Sequence, residues 1–135
     1  MVRGRVLVAG SARGPLLCLR APISFWGGVD PVSGRIVDPR HPDHGVCIAG
    51  TVLAVPATVG SSSSSAVMLE LLREGTAPAA VLTARADAIL ALGVVVAGEL
   101  GHPTIPMLEL PAEGLSALAD GVLEVLEDGT VRSAG

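Results

Sequence analysis

The chain has no tyrosine, one phenylalanine, one tryptophan and two cysteines among its 135 residues. With so few aromatics, the core has to be built from valine, alanine and leucine. Half of the residues are hydrophobic and the mean hydropathy is +0.61. Even so, no uninterrupted apolar stretch reaches the roughly 20 residues that span a bilayer. The hydropathy is that of buried strands, and no membrane partner is expected. The apolar part of residues 1–8 is too short for a signal peptide and reads as a strand, so a cytoplasmic location is expected.

Lysine is also absent. All nine basic residues are arginines, scattered from Arg3 to Arg132, and the formal net charge is −4. No basic stripe with interleaved aromatics appears, so nucleic acid is not an expected partner. Without a lysine, no glycine-rich stretch fits the Walker pattern. Cys18 and Cys47 are far apart in the chain, and two cysteines do not make a disulfide framework or a zinc site. They read as two small buried hydrophobes. The length suits one domain, residues 1–135, with one core.

Periodicity gives a mixed β/α class with a central sheet and a few helices. Residues 5–9 and 16–19 read as strands, and residues 32–38 as a turn leading into a short strand. Residues 46–56 are β-branched and almost continuously apolar, as a central buried strand would be. Val67, Met68, Leu71 and Leu72 recur at helical spacing, and Gly75 stands where a left-handed C-cap belongs. Residues 78–84 and 104–110 read as strands. Residues 87–101 fit one helix, or a short helix breaking into a strand. The tail reads as a hairpin with Asp128-Gly129 at its turn.

Three stretches invite a chemical reading. Gly60 is followed by five serines, Ser61 to Ser65, which lead directly into the helical segment. Hydroxyls and unpaired amides at a helix N-terminus favour an anion, or an oxygen gaining negative charge. The other reading is an N-cap with surplus serines. Next, Phe25-Trp26-Gly27-Gly28-Val29-Asp30-Pro31 holds both aromatics. Its paired glycines either allow a close approach to a second surface or mark a turn beneath core-plugging rings. Last, Asp38, His41, Asp43 and His44 include a His-x-x-His spacing. A metal needs three or four ligands, so this stretch reads as a solvated polar loop, and no metal site is expected in the chain.

Taken jointly, several of these stretches resemble one family. They are Ser24-Phe25-Trp26-Gly27-Gly28-Val29-Asp30-Pro31-Val32-Ser33-Gly34-Arg35-Ile36-Val37-Asp38 with His41-Pro42, Gly50-Thr51-Val52-Leu53-Ala54-Val55-Pro56, the Gly60 serine run, and Gly75-Thr76-Ala77-Pro78-Ala79-Ala80. Their order and spacing are similar to the small subunit, or swivel domain, of the aconitase X family, from about Arg5 to Leu110. The resemblance implies a swivelling β/β/α domain that pairs with a large subunit to form a hydro-lyase, active only as the pair. Family activities are dehydration of cis-3-hydroxy-L-proline and of mevalonate 5-phosphate, with the iron or iron–sulfur centre in the large subunit.

By position, the resemblance assigns the proton acceptor to Ser61 and substrate carboxylate binding to Gly60, Ser62, Ser63 and the helix amides. The loop with Trp26, Gly27, Gly28 and Asp30 would line the interface or the site. Five serines are more like the hydroxyproline branch. One departure stands beside them: many relatives carry an arginine or lysine and a second glycine before the Gly-Ser pair, where this chain has Ala57-Thr58-Val59. The departure leaves a third expectation open, a non-catalytic binding or regulatory module that keeps the swivel fold.

Overall fold

Along the chain, the computed structural model describes residues 1–60 and 62–134. The elements run β1 (Val2–Arg3), β2 (Arg5–Val8), β3 (Ala12–Cys18), β4 (Ile23–Ser24), α1 (Phe25–Gly28), β5 (Val52–Val55), β6 (Thr58–Val59), α2 (Ser63–Glu74), β7 (Ala80–Thr83), α3 (Ala88–Glu99), β8 (Met107–Glu109), α4 (Ala112–Ser116), β9 (Val122–Val125) and β10 (Thr130–Ser133). Among the described residues, eight strands form one mixed sheet in the order β1-β10-β9-β3-β5-β7-β8-β2. The centre, β3-β5-β7-β8, is parallel, and the flanking pairs are antiparallel. The two ends of this order, β1 and β2, are separated in the chain only by Gly4. The sheet therefore curls until its edges meet. A Cβ on Gly4 would fall 2.9 Å from the Glu109 carbonyl oxygen, so this corner excludes a side chain.

The alternation along the central strands explains the two cores. Val52, Ala54, Ala80, Leu82 and Leu108 point into the curl with Leu123, Val125 and Val131. Leu53, Val55, Val81 and Met107 point the other way, against Met68 and Leu71 of α2 and Leu90 and Val94 of α3. Strands buried on both faces lose the polar alternation and read as continuous apolar runs. The helices approach closely where α3 has a glycine: a Cβ on Gly93 would lie 2.5 Å from the Ser65 carbonyl oxygen and 3.1 Å from the Met68 Cβ.

Several expectations need correction. The central strand is only Val52–Val55, because Gly50 takes a positive φ of 71° and residues before it turn. Residues 32–38 contribute only isolated bridges, Val29 with Ile36 and Arg35 with Cys47. The second strand extends back through Gly14 and Pro15, since it switches partner from β9 to β5 along its length. Residues 88–99 are one helix, started by Asp87, whose side chain accepts from the Leu90 amide at 2.9 Å. Gly75 does cap α2 in the left-handed region. Cys18 is exposed and Cys47 half-buried, so neither is the core hydrophobe expected. Partial burial, then the Asp120 charge, pushes the Cys18 thiol above its ordinary pKa. No helix among the described residues is long and apolar enough to cross a membrane.

The polar loop at 38–44 is not solvated throughout. His41 and Asp43 are buried. The Asp43 amide donates to His41 Nδ1 at 3.0 Å, which leaves His41 Nε2 to donate to the Ala21 carbonyl at 3.2 Å. The Asp43 carboxylate accepts from the Arg20 amide at 2.8 Å and from Arg20 Nε at 3.0 Å. Burial pushes the Asp43 carboxyl up, but the Arg20 hydrogen bonds and charge outweigh it, and the net shift is downward. This pair pins the loop against the segment that leads into β4, so it is structural and no metal ligand set.

Two outcomes follow. Gly93→Ala should lower stability by about 1–3 kcal/mol through overpacking between α2 and α3, read as a lower midpoint in chemical denaturation. Asp43→Asn should also destabilise, by an amount that depends on pH. A carboxyl whose pKa is depressed in the folded state adds stability above its unfolded pKa, about 3.9, and loses it as pH falls through the folded value. The gap between wild type and variant should be widest near neutrality and close below about pH 4 in denaturation curves.

Candidate functional site

The sheet's parallel centre sets where chemistry can sit. β5 leads through β6 into α2, and β7 leads into α3, so both helices begin at the carboxyl ends of their strands. In open α/β sheets this end carries the ligand crevice. β6 pairs in parallel with β4, with Ser24 opposite Val59. That brings the Trp26 segment alongside the glycine that precedes the serine run.

Gly60 is the hinge of the arrangement. Its φ is 122°, which favours glycine, and a Cβ there would lie 2.7 Å from Ser24 Oγ and 3.3 Å from Ser64 Oγ. Two hydroxyls thus flank its Cα. Ser24 Oγ donates to the Trp26 carbonyl at 2.9 Å. Ser64 Oγ is buried and has no hydrogen-bond partner among the described residues. An orphaned buried hydroxyl is uncommon and costs roughly 1–3 kcal/mol.

Ser61, the predicted proton acceptor, lies outside the described residues. Ser62 is exposed at the N-cap of α2, yet its side chain makes no capping hydrogen bond. Its carbonyl accepts from Ser65 Oγ at 2.7 Å. Ser63 is half-buried in the first turn. The plain capping role open to the serine run is therefore not taken up by Ser62. No acidic residue stands in the first turn of α2 to offset the positive end of its dipole.

The predicted loop residues separate into two groups. Phe25 is fully buried and fills the core, whereas Trp26 is 61% exposed. Gly27 needs its positive φ of 78°, and Gly28 is buried with its carbonyl accepting from the Val37 amide. Asp30 is engaged in its own turn, accepting from the Val32 amide at 3.1 Å and from Ser33 Oγ at 2.9 Å. Val59, opposite Ser24 and next to Gly60 in the chain, is 47% exposed.

Sequence reasoning did not single out Ser24, Ser64 or Asp87. Asp87 caps α3 and also accepts from Thr58 Oγ1, tying the approach to Gly60 to the start of the second helix. Its signal was legible, an aspartate directly before a long apolar run. Among the described residues, no three or more His, Cys, Asp or Glu side chains gather as metal ligands.

Among the described residues, the geometry is a positive-φ glycine flanked by hydroxyls at the start of a helix. The chain is similar to known proteins over most of its length. The aconitase X swivel-domain model matches residues 1–132. A cis-3-hydroxy-L-proline dehydratase of Pseudomonas aeruginosa is 47% identical over 92% of this chain, which spans only 23% of that protein's length. A phosphomevalonate dehydratase small subunit of Methanothermobacter thermautotrophicus is 40% identical over 95% of both chains. A chain of Thermococcus kodakaraensis aconitase X, holo-form, superposes with a TM-score of 0.84 at 33% identity, covering 96% of this chain and 95% of that one. Matched over nearly its whole length in both sequence and fold, the chain belongs to the aconitase X family as a swivel domain.

Proposed function

We propose that these 135 residues act as one swivel domain, the small subunit of a heteromeric dehydratase that acts on cis-3-hydroxy-L-proline, with Ser61 as the proton acceptor. The observation that carries the reading is the turn at Gly60, where a strand ends between two hydroxyls and a serine-rich helix begins with an uncompensated dipole. The 47% identity to the Pseudomonas dehydratase supports the substrate.

Dehydration of a β-hydroxy acid breaks one C–H and one C–O bond and forms a C=C bond. The α-proton passes to a base, a proton is delivered to the departing hydroxyl so that it leaves as water, and the base then releases its own proton to reset the site. A serine hydroxyl is about as hard to ionise as bulk water, far above neutrality. Each unit by which it is brought down takes roughly 1.4 kcal/mol. A helix N-terminus supplies at most about 2 kcal/mol. The helix alone is several-fold too weak, and Val59 brings no charge. The large subunit therefore has to exclude water and supply the remaining stabilisation.

In this reading Ser62, Ser63, Gly60 and the first amides of α2 hold the substrate carboxylate, and the orphan Ser64 hydroxyl backs the turn. Among the described residues no cluster of metal ligands gathers, and in this reading the iron or iron–sulfur centre belongs to the large subunit. The two unpaired cysteines support a cytoplasmic setting.

A second reading, mevalonate 5-phosphate as substrate, is favoured by one observation: the Methanothermobacter relative named for it is a separate small subunit of matching extent. Turnover of each compound by the co-expressed complex separates the two. Cis-3-hydroxy-L-proline should be consumed and the phosphate ester left unchanged; the reverse result selects the second reading. Ser61→Ala in the same complex should lower kcat by about 100-fold or more, as for loss of a general base, with assembly intact. Near-normal turnover overturns the assignment. Gly60→Ala, forced against two hydroxyls at positive φ, should also reduce turnover in an assembled complex.

A further inference from the structure

The path from β5 to α2 carries the residues that the chemistry uses, and little within it holds it in place. Among the described residues, β6 is two residues long and pairs only with the equally short β4. A lone two-stranded pair is marginal in water. Ser62 makes no capping hydrogen bond, and Gly60 has a φ of 122° that favours a glycine. The position of the serine turn therefore has to be fixed from outside.

Helix α3 fixes it on both sides. Upstream of Gly60, Thr58 Oγ1 donates to Asp87 Oδ2 at 2.5 Å, while Asp87 Oδ1 accepts from the Leu90 amide at 2.9 Å. Downstream, Gly93 lets α3 press against the Ser65 carbonyl. Capping α3 needs only one acceptor, and serine or asparagine serves there as well as aspartate. The second oxygen of Asp87 is surplus to the cap, and its bond to Thr58 is of the charge-assisted kind, roughly twice as strong as a neutral one. Only a carboxylate offers an accepting oxygen to each donor at once.

We infer that Asp87 is a positioning residue for the dehydration, acting through Thr58 to set where the serine turn stands at the carboxyl end of the sheet. The inference rests on the dehydratase reading above. Asp87 moves no proton in it. Its carboxylate makes the start of α3 the reference point for the start of α2. A reacting group misplaced by about 1 Å costs roughly 100-fold in rate. A bond that adds little to overall stability thus decides turnover when it holds such a group.

The test separates this clasp from the cap in the co-expressed complex. Thr58→Val removes the donor, keeps the shape and leaves the Asp87 cap intact. Asp87→Ser keeps a capping oxygen but has no second acceptor. Thr58→Ser keeps the hydroxyl. The first two should each lower kcat by about tenfold or more. KM should move less, because the proposed carboxylate cradle sits on α2, which Gly93 still holds. Thr58→Ser should turn over as wild type does. Combining Thr58→Val with Asp87→Ser should cost no more than the worse single change, since both cut one link. Amide exchange over residues 58–62 of the complex should speed up in Thr58→Val and not in Thr58→Ser. Should Asp87→Ser fail to fold, the two Thr58 variants decide the matter.

Full turnover by an assembled Thr58→Val complex overturns the inference, even where its thermal midpoint falls, because the pair is then a structural strut. A loss of kcat that Thr58→Ser shares also overturns it, since the hydroxyl is then not the cause. Failure of the functional reading looks different: the wild-type complex consumes neither cis-3-hydroxy-L-proline nor mevalonate 5-phosphate. Amide exchange still decides the clasp in that case. Faster exchange in Thr58→Val keeps Asp87 as the residue that positions the turn, and unchanged exchange removes it.

Discussion

Burial of β5 and β7 on both faces is the constraint from which the rest follows. One face of these strands closes against the curled antiparallel edges, and the other needs a cover. Two parallel crossovers provide it, because parallel neighbours cannot be joined by a tight turn. The crossovers are α2 and α3, and both necessarily start at the same end of the sheet. The helix N-terminus that carries the serine run is thus a consequence of how the core is covered. Asp87 reinforces it by capping α3 and holding Thr58, which fixes the short path from β5 to Gly60.

Two features make little sense in an isolated chain. One is a serine-rich turn whose buried Ser64 hydroxyl has no hydrogen-bond partner among the described residues. The other is a helix whose outer face is aliphatic. Both are explained if the chain is one half of an assembly. The dipole of a single helix is far too weak to make a serine basic, and an aliphatic face in water forgoes its hydrophobic stabilisation.

Legibility tracked how local the determining physics was. Gly75 after an amphipathic run and Asp128-Gly129 between strands were readable because a cap and a tight turn are set within a few residues. The continuous run at 52–55 was readable because burial on both faces removes alternation. Residues 88–99 were ambiguous between helix and strand for the opposite reason: an uncharged, evenly apolar stretch has no period. The extension of β3 through Gly14 and Pro15 was invisible, since only pairing with β9 makes those residues a strand. His41 and Asp43 read as solvated because polar residues usually are; Arg20 and Ala21, 20 or more positions away, hold them in place.

The amino-acid sequence by itself determined the mixed β/α class, the family and the glycine that must precede the serines, all of which depend on short-range pattern. Tertiary structure alone decided what surrounds that glycine. The Ser24 and Ser64 hydroxyls come within contact distance of the space its missing Cβ would fill only because β6 pairs with β4 and α2 folds back over the sheet. It also decided which side of α3 faces outward, because an evenly apolar helix carries no signal for its own orientation until Gly93 and the sheet choose one.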